Sequence, residues 1–259
     1  MEQFLESLSE VQKDAVTYCD GPLLILAGAG SGKTRVLCHK VMYLINNLNI
    51  DPNDILSVTF TNKAANEMKE RIYSLLKIPT WSMWVSTFHS VCMRILRAHA
   101  EYLGYTKNFV VYDDRDQQKI IKESLAALEI DSEQIKPRSV QYAINGAKNN
   151  LISPENMQAK ALSLMDKKIA NIYAHYQESL QKNDAMDFGD LIFNVNSLFK
   201  HNDKVLKEYQ EKFKYILVDE YQDTNDAQYS LLKMLASAHK NICVVGDDDQ
   251  SIVEVELVR

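Results

Sequence analysis

The chain has 259 residues, 46% of them apolar and 25% charged, and its 29 Lys and Arg against 35 Asp and Glu leave a formal net charge of −6. This is the composition of an ordinary globular protein with room for a substantial core; it excludes a protein that coats nucleic acid by bulk positive charge, while leaving a local basic groove open. No apolar run approaches the ~18 residues of a membrane span, and the acidic start MEQFLESLSE lacks the basic-then-apolar layout of a signal peptide, so a cytoplasmic protein with no membrane partner is expected.

In chain order, the first strand signal is the continuous apolar run Leu23–Ala27. Three of the eight glycines, Gly28, Gly30 and Gly32, follow within five residues, and a helix-compatible stretch begins at Arg35-Val36-Leu37. Further strand signals lie at Ile55–Phe60 and Met83–Ser86, with helical stretches separating the first three, as in a parallel α/β sheet. Most of these runs are too continuous for half-exposed strands and read as buried on both faces. From about Asp113 to Lys182 the pattern turns helical. Ile120, Ile121, Leu125 and Leu128 share one helix face, and Ile169, Ile172, Tyr173, Tyr176 and Leu180 share another. Strand signals return at Tyr215–Val218 and Ile242–Val245. The four cysteines (Cys19, Cys38, Cys92, Cys243) and six histidines show no metal-ligand spacing, so the thiols read as small core hydrophobes and any metal should arrive with a nucleotide.

Three segments carry chemistry. Ala27-Gly28-Ala29-Gly30-Ser31-Gly32-Lys33-Thr34 is a phosphate-binding loop pattern with Ala where the strict form has Gly. Its glycines let backbone N–H groups converge on phosphate oxygens at a helix N-terminus, Lys33 is spaced to reach the β/γ-phosphates, and the Thr34 hydroxyl to bind Mg²⁺. The strand Tyr215–Val218 delivers Asp219 and Glu220 at its C-terminal end, where ligands of open α/β sheets sit. Asp219 is placed to hold Mg²⁺, and Glu220 to orient and deprotonate an attacking water. The strand Ile242–Val245 ends in Gly246-Asp247-Asp248-Asp249-Gln250, whose Asp spacing does not fit a calcium loop and whose Gln250 suits sensing of a γ-phosphate.

With these residues in place, the chain resembles the Rep/UvrD/PcrA-type superfamily 1 DNA helicases over almost its whole length. Leu8-Ser9-Glu10-Val11-Gln12 with Ala15-Val16 looks like the Q motif, in which the glutamine reads adenine. The segment from Ala27 to Thr34 is similar to motif I, with Arg35 beside the nucleotide. Thr59 to Ala65 looks like motif Ia and Ser86 to Ser90 like motif Ib. Met186-Asp187-Phe188-Gly189-Asp190-Leu191 resembles the motif closing the helical insertion. Asp219-Glu220-Tyr221-Gln222-Asp223-Thr224 matches motif II, with Gln222 in the coupling position, and Gly246 to Ile252 the first half of motif III.

The resemblance implies an α/β, RecA-like P-loop NTPase domain with a parallel sheet, residues 1–110 and 187–259, interrupted by an all-helical inserted subdomain at 111–186. It implies ATP and Mg²⁺ as cofactors, with the nucleotide held by Gln12, the loop from Ala27 through Gly28, Ala29, Gly30, Ser31, Gly32 and Lys33 to Thr34, and Arg35. Thr34 and Asp219 take the metal, and Glu220, Gln250 and Lys33 carry catalysis. Single-stranded DNA and duplex junctions are the implied partners, translocation runs 3′ to 5′, and ATP sits in a cleft between two RecA-like domains. Residue chemistry agrees for DNA: Phe60 offers a π-face, and Asn62, Lys63 and His89 offer donors.

The resemblance breaks after Ile252. The family continues with Tyr, any residue, an aromatic, then Arg-Gly-Ala, whereas this chain reads Val253-Glu254-Val255-Glu256-Leu257-Val258-Arg259. A truncated or frameshifted product, or a fragment with a foreign tail, is expected, with a second motor domain or a full-length helicase as partner. The expected function is the ATP-binding and ATP-hydrolysing motor half of a DNA helicase, unable to unwind alone. A non-hydrolysing, ATP-responsive single-stranded DNA-binding module is the alternative. A small-molecule P-loop kinase accounts for the loop but not for the Phe60–Lys63 and Thr87–Ser90 segments.

Overall fold

The computed structural model describes residues 4–28 and 30–247. The chain divides into two compact units, one built from residues 4–91, 203–224 and 232–247 and the other from Cys92–Asn202 and Asn225–Leu231.

The first unit is organised on a parallel sheet of β1 (Leu23–Leu26), β2 (Ile55–Thr59), β3 (Trp84–Thr87), β6 (Tyr215–Val218) and β7 (Ile242–Gly246) in the order β1-β7-β6-β2-β3. All five strands expected from the sequence are present. Their burial differs in one respect: β2 and β7 are buried throughout, but β1 ends the sheet and is only half-buried, with Leu26 47% exposed. An apolar run thus does not distinguish a central strand from one that ends the described sheet. Helices α2 (Lys33–Asn46) and α3 (Asn62–Leu76) bring Leu37, Val41, Leu44, Met68 and Ile72 onto one face, against Ile55, Val85, Leu217 and Val245. Trp84 precedes Val85 along β3 and faces the other side, where it packs edge-on against Phe213 with ring centroids 4.9 Å apart. Each such fully buried side chain contributes about 1.5–3 kcal/mol. Among the described residues, no helix is long and apolar enough to cross a membrane.

The second unit carries α5 (Asp114–Ala127), α6 (Pro137–Asn149), α7 (Pro154–Lys160), α8 (Leu164–Lys182) and α9 (Phe188–His201). Most of both helix stripes expected from the sequence lies in its core: Ile120, Ile121, Leu125, Ile172, Tyr173, Tyr176 and Leu180 are buried together, whereas Leu128 packs at the margin and Ile169 is only half-buried. The unit is not all-helical, however. β4 (Val110–Tyr112) and β5 (Ala185–Asp187) pair in parallel, Val110 opposite Ala185 and Tyr112 opposite Asp187. Strands of three residues are too short to show a period in the sequence, and these two flank the helical stretch.

At the end of β5 lies a buried ionic cluster. Lys148, fully enclosed, donates to Asp187 at 2.6 Å and meets Asp190 at 2.8 Å. Tyr176 donates to Asp187 at 2.7 Å, and Asp187 and Asp190 form the capping box of α9. With all three groups charged, the cluster carries one excess negative charge. Burial first, and then the Asp187 charge, push Asp190 up to about 6 against the pull of Lys148. Burial also works to raise Asp187, but Lys148 and the hydrogen bonds around it hold that carboxyl below its ordinary value. A carboxyl raised in the folded state contributes stability that is complete below its unfolded value, 3.8, and is lost as pH climbs to about 6. The second unit is therefore expected to lose stability over that interval, and Asp190→Asn to flatten the fall. Hydrogen exchange of α8 and α9 in both proteins checks this; an equal slope in the variant would place the titration elsewhere.

Candidate active site

Register gathers the chemical residues at one edge of the sheet. Leu26 lies opposite Gly246, Val244 opposite Val218, and Val218 opposite Val58, so the loops after β1, β7, β6 and β2 open side by side. Ala27 N–H donates to Gly246 O at 3.1 Å and Asp219 N–H to Val58 O at 3.0 Å, extending the ladder into these loops. The cleft they form is lined by Gly30, Gly32, Lys33, Thr34, Asp219, Glu220, Gln222 and Asp247, with Phe60, Ala64, Glu67 and Arg71 along its side.

The loop after β1 turns into α2 through Gly32, whose φ of 89° lies in the left-handed region that a side chain enters only with strain. Gly32, Lys33 and Thr34 line the cleft, and the start of a helix has amides without intrahelical partners and a dipole that favours an anion. Lys33 folds back over the loop. Its Nζ donates to Ala27 O at 2.8 Å and to Gly28 O at 3.5 Å, and lies 3.5 Å from Asp247 Oδ2. A charged amine is thus held at the centre of the loop.

Thr34 Oγ1 donates to Asp219 Oδ2 at 2.8 Å, joining two residues 185 positions apart. Burial, with the Glu220 charge adding to it, holds the Asp219 carboxyl above its usual range, while the Thr34 hydrogen bond pulls it down. Among the described residues, no group of three or more His, Cys, Asp or Glu could hold a metal ion. One hydroxyl and one carboxylate are too few for a cation held by protein alone, and they suit Mg²⁺, which keeps waters and shares phosphate oxygens.

Glu220 adopts left-handed backbone geometry, φ 53°, a strain that non-glycine residues accept mainly where the surroundings over-determine it. Gln222 accounts for part of that. Its Nε2 donates to Glu220 Oε2 at 2.7 Å and its Oε1 accepts from Asp247 N–H at 3.0 Å, so one amide ties the β6 and β7 loops together. A Cβ at Gly246 would meet that same Gln222 oxygen at 3.2 Å, so the Gln222 amide would have to shift by a few tenths of an ångström to admit one.

Gln12 and Arg35 tie the N-terminal segment to the loop and to α2: Gln12 Nε2 donates to Ser31 O at 3.1 Å, and Arg35 Nη2 to Ser7 O at 2.9 Å. Phe60 is half-buried, edge-on to Phe88 with centroids 5.5 Å apart, so only part of its ring is open. Asn62 and Lys63 are exposed on the first turn of α3. His89 is half-buried, and burial lowers its pKa, favouring the neutral imidazole. Ala29 and Gln250, with Asp248, Asp249 and everything after them, lie outside the described residues. Sequence reasoning did not single out Glu67 and Arg71; together with Ala64 they recur at helical spacing on α3, a stripe that could have been read as facing the site.

The model of the family described as "UvrD/REP helicase N-terminal domain" matches residues 8–254. The chain is 48% identical over 252 residues to the ATP-dependent DNA helicase PcrA of Staphylococcus aureus (strain Mu50), covering 97% of this chain and 34% of that protein. It is also 48% identical to the ATP-dependent DNA helicase PcrA of Staphylococcus epidermidis (strain RP62A), covering 97% of this chain and 35% of that one. The chain therefore spans about a third of the length of the curated relatives it matches.

Proposed function

The chain belongs to the UvrD/REP helicase N-terminal domain family, and from that premise we propose that it is the ATP-binding and ATP-hydrolysing motor half of a DNA helicase that moves 3′ to 5′ on single-stranded DNA. The observation that carries the reading is the meeting of Lys33, the Thr34–Asp219 pair and Glu220 at one edge of the sheet, from segments far apart in sequence.

In this reading the loop amides and Lys33 take the β- and γ-phosphates, Arg35 lies beside the nucleotide, and Gln12 takes the adenine edge. Thr34 and Asp219 supply protein oxygens to Mg²⁺, which when bound there offsets charge on the phosphates. Glu220 orients the water and accepts its proton, with Gln250 sensing the γ-phosphate. Phe60, Asn62, Lys63 and His89 contact single-stranded DNA through stacking and hydrogen bonds, and duplex junctions are engaged together with a second motor domain. Residues 1–110 and 187–259 form the motor domain and 111–186 its insertion. A cytoplasmic location accompanies this, in keeping with four free thiols.

The test is titration with a fluorescent ATP analogue. Lys33→Ala removes a charge-assisted phosphate contact of about 1.5–3 kcal/mol, so affinity is expected to fall roughly tenfold to hundredfold. Equal affinity in mutant and parent would sink the assignment of the loop. The alternative, an ATP-responsive module without turnover, shares that binding result and parts from this reading at hydrolysis.

A further inference from the structure

Helix α1 (Glu10–Thr17) is held at both ends, at its first turn by the phosphate loop and at its last by α2. At its first turn, Gln12 Oε1 accepts from Ser9 N–H at 3.1 Å, while Gln12 Nε2 donates to Ser31 O in the phosphate loop at 3.1 Å. Both sides of that amide are committed, so its orientation is set. At the last turn the partner is Lys40 of α2, one of the few buried charged residues in the first unit. Its Nζ donates to Ala15 O at 3.0 Å and Val16 O at 3.5 Å, and also to Tyr18 O.

These contacts suit one another. A helix leaves its final carbonyls unpaired at the negative end of its dipole, and an ammonium brings three N–H donors and a positive charge. Among the described residues, the hydrogen-bond partners of Lys40 are all carbonyl oxygens, and burial lowers its pKa. A helix of eight residues is too short to persist on its own propensity. Its place on α2 is therefore set by these side chains and by the packing of Val16 on Val36. Lys40 sits two turns along the helix that begins with Lys33 and Thr34, so α1 and the phosphate loop share one rigid support.

We infer that Lys40 is a positioning residue for nucleotide recognition: by clamping the end of α1 to α2, it fixes Gln12 relative to the phosphate loop and so sets the preference for an adenine nucleotide over a bare polyphosphate. The inference rests on the reading of Gln12 as the adenine contact. A lysine that only held the fold together would change both affinities alike.

The experiment compares Mg·ATP and Mg·tripolyphosphate binding by calorimetry for the 259-residue chain, Lys40→Met, Lys40→Arg, Gln12→Ala and the Lys40→Met/Gln12→Ala double variant. Lys40→Met is expected to weaken ATP about tenfold and tripolyphosphate by no more than about twofold. Lys40→Arg keeps the donors and the charge and should keep the preference, and the double variant should lose little beyond either single one. Equal weakening of both ligands by Lys40→Met, or of neither, overturns the inference. If Gln12→Ala loses the preference while Lys40→Met keeps it, the inference alone fails. If Gln12→Ala keeps it, the adenine reading is at fault and the inference falls with it. Should Lys40→Met not fold, hydrogen exchange on the parent decides: ATP should protect the α1 amides more than tripolyphosphate does, and equal protection overturns the proposal.

Discussion

Glu220→Gln is expected to lower ATP turnover by about 10²–10⁴-fold, the usual contribution of a positioned general base, while ATP and Mg²⁺ affinities stay within about twofold. The variant keeps the shape and one acceptor of the side chain and removes only its basicity. Gln222 donates to Glu220 Oε2 at 2.7 Å, and a glutamine at 220 can still accept there through its oxygen, so the loop geometry should survive. Asp219→Asn is expected to behave differently. It removes the carboxylate that meets Thr34 at 2.8 Å, and the loss should fall on the Mg²⁺-dependent part of nucleotide binding. Single-turnover hydrolysis alongside nucleotide titration separates the two variants. If Glu220→Gln turned over as fast as the parent, the catalytic role would have to move elsewhere, with Asp223 next as the base and Gln250 next for orienting the water.

The second large effect concerns what a polypeptide of only these 259 residues does. It is expected to hydrolyse ATP about 10³–10⁵-fold more slowly than when a second RecA-like half is supplied, the contribution of an arginine finger facing the transferred phosphate. Among the described residues lining the cleft, the arginines are Arg35, on α2 with Lys33, and Arg71, on α3. Arg35 is also engaged with Ser7 O. A forked duplex with ATP should stay paired when incubated with this polypeptide. Single-stranded DNA should bind weakly and with a steep salt dependence, because phosphate contacts carry most of such affinity. Strand separation and turnover with and without a second-half polypeptide check this; robust unwinding by the 259 residues alone would contradict it.

Residues whose chemistry is local could be read from the sequence, and residues whose role is set by distant partners could not. The Gly28–Thr34 loop announces itself because its glycines, lysine and threonine are contiguous and follow an apolar run; the same holds for Asp219 and Glu220 at the end of Tyr215–Val218. The five strands of the large sheet were legible for the same reason. That β1 forms an edge was not, because burial depends on which strands pair, and the β1–β7 pairing joins positions more than two hundred residues apart. β4 and β5 were missed because three residues carry no period. Lys40 and Lys148 look like ordinary solvated lysines in sequence, since a buried cation is defined by partners such as Tyr18 O or Asp187 that only the fold supplies. The Gln222 bridge to Asp247 N–H was hidden likewise, although motif II drew attention to Gln222 itself.

The most direct test of the motor assignment is steady-state ATP hydrolysis by the 259-residue chain as single-stranded oligothymidine is added. The expected result is a slow rate that rises and saturates with DNA, falls again as salt is raised, and is absent in Glu220→Gln. A rate indifferent to DNA, or hydrolysis that persists in Glu220→Gln, would contradict it.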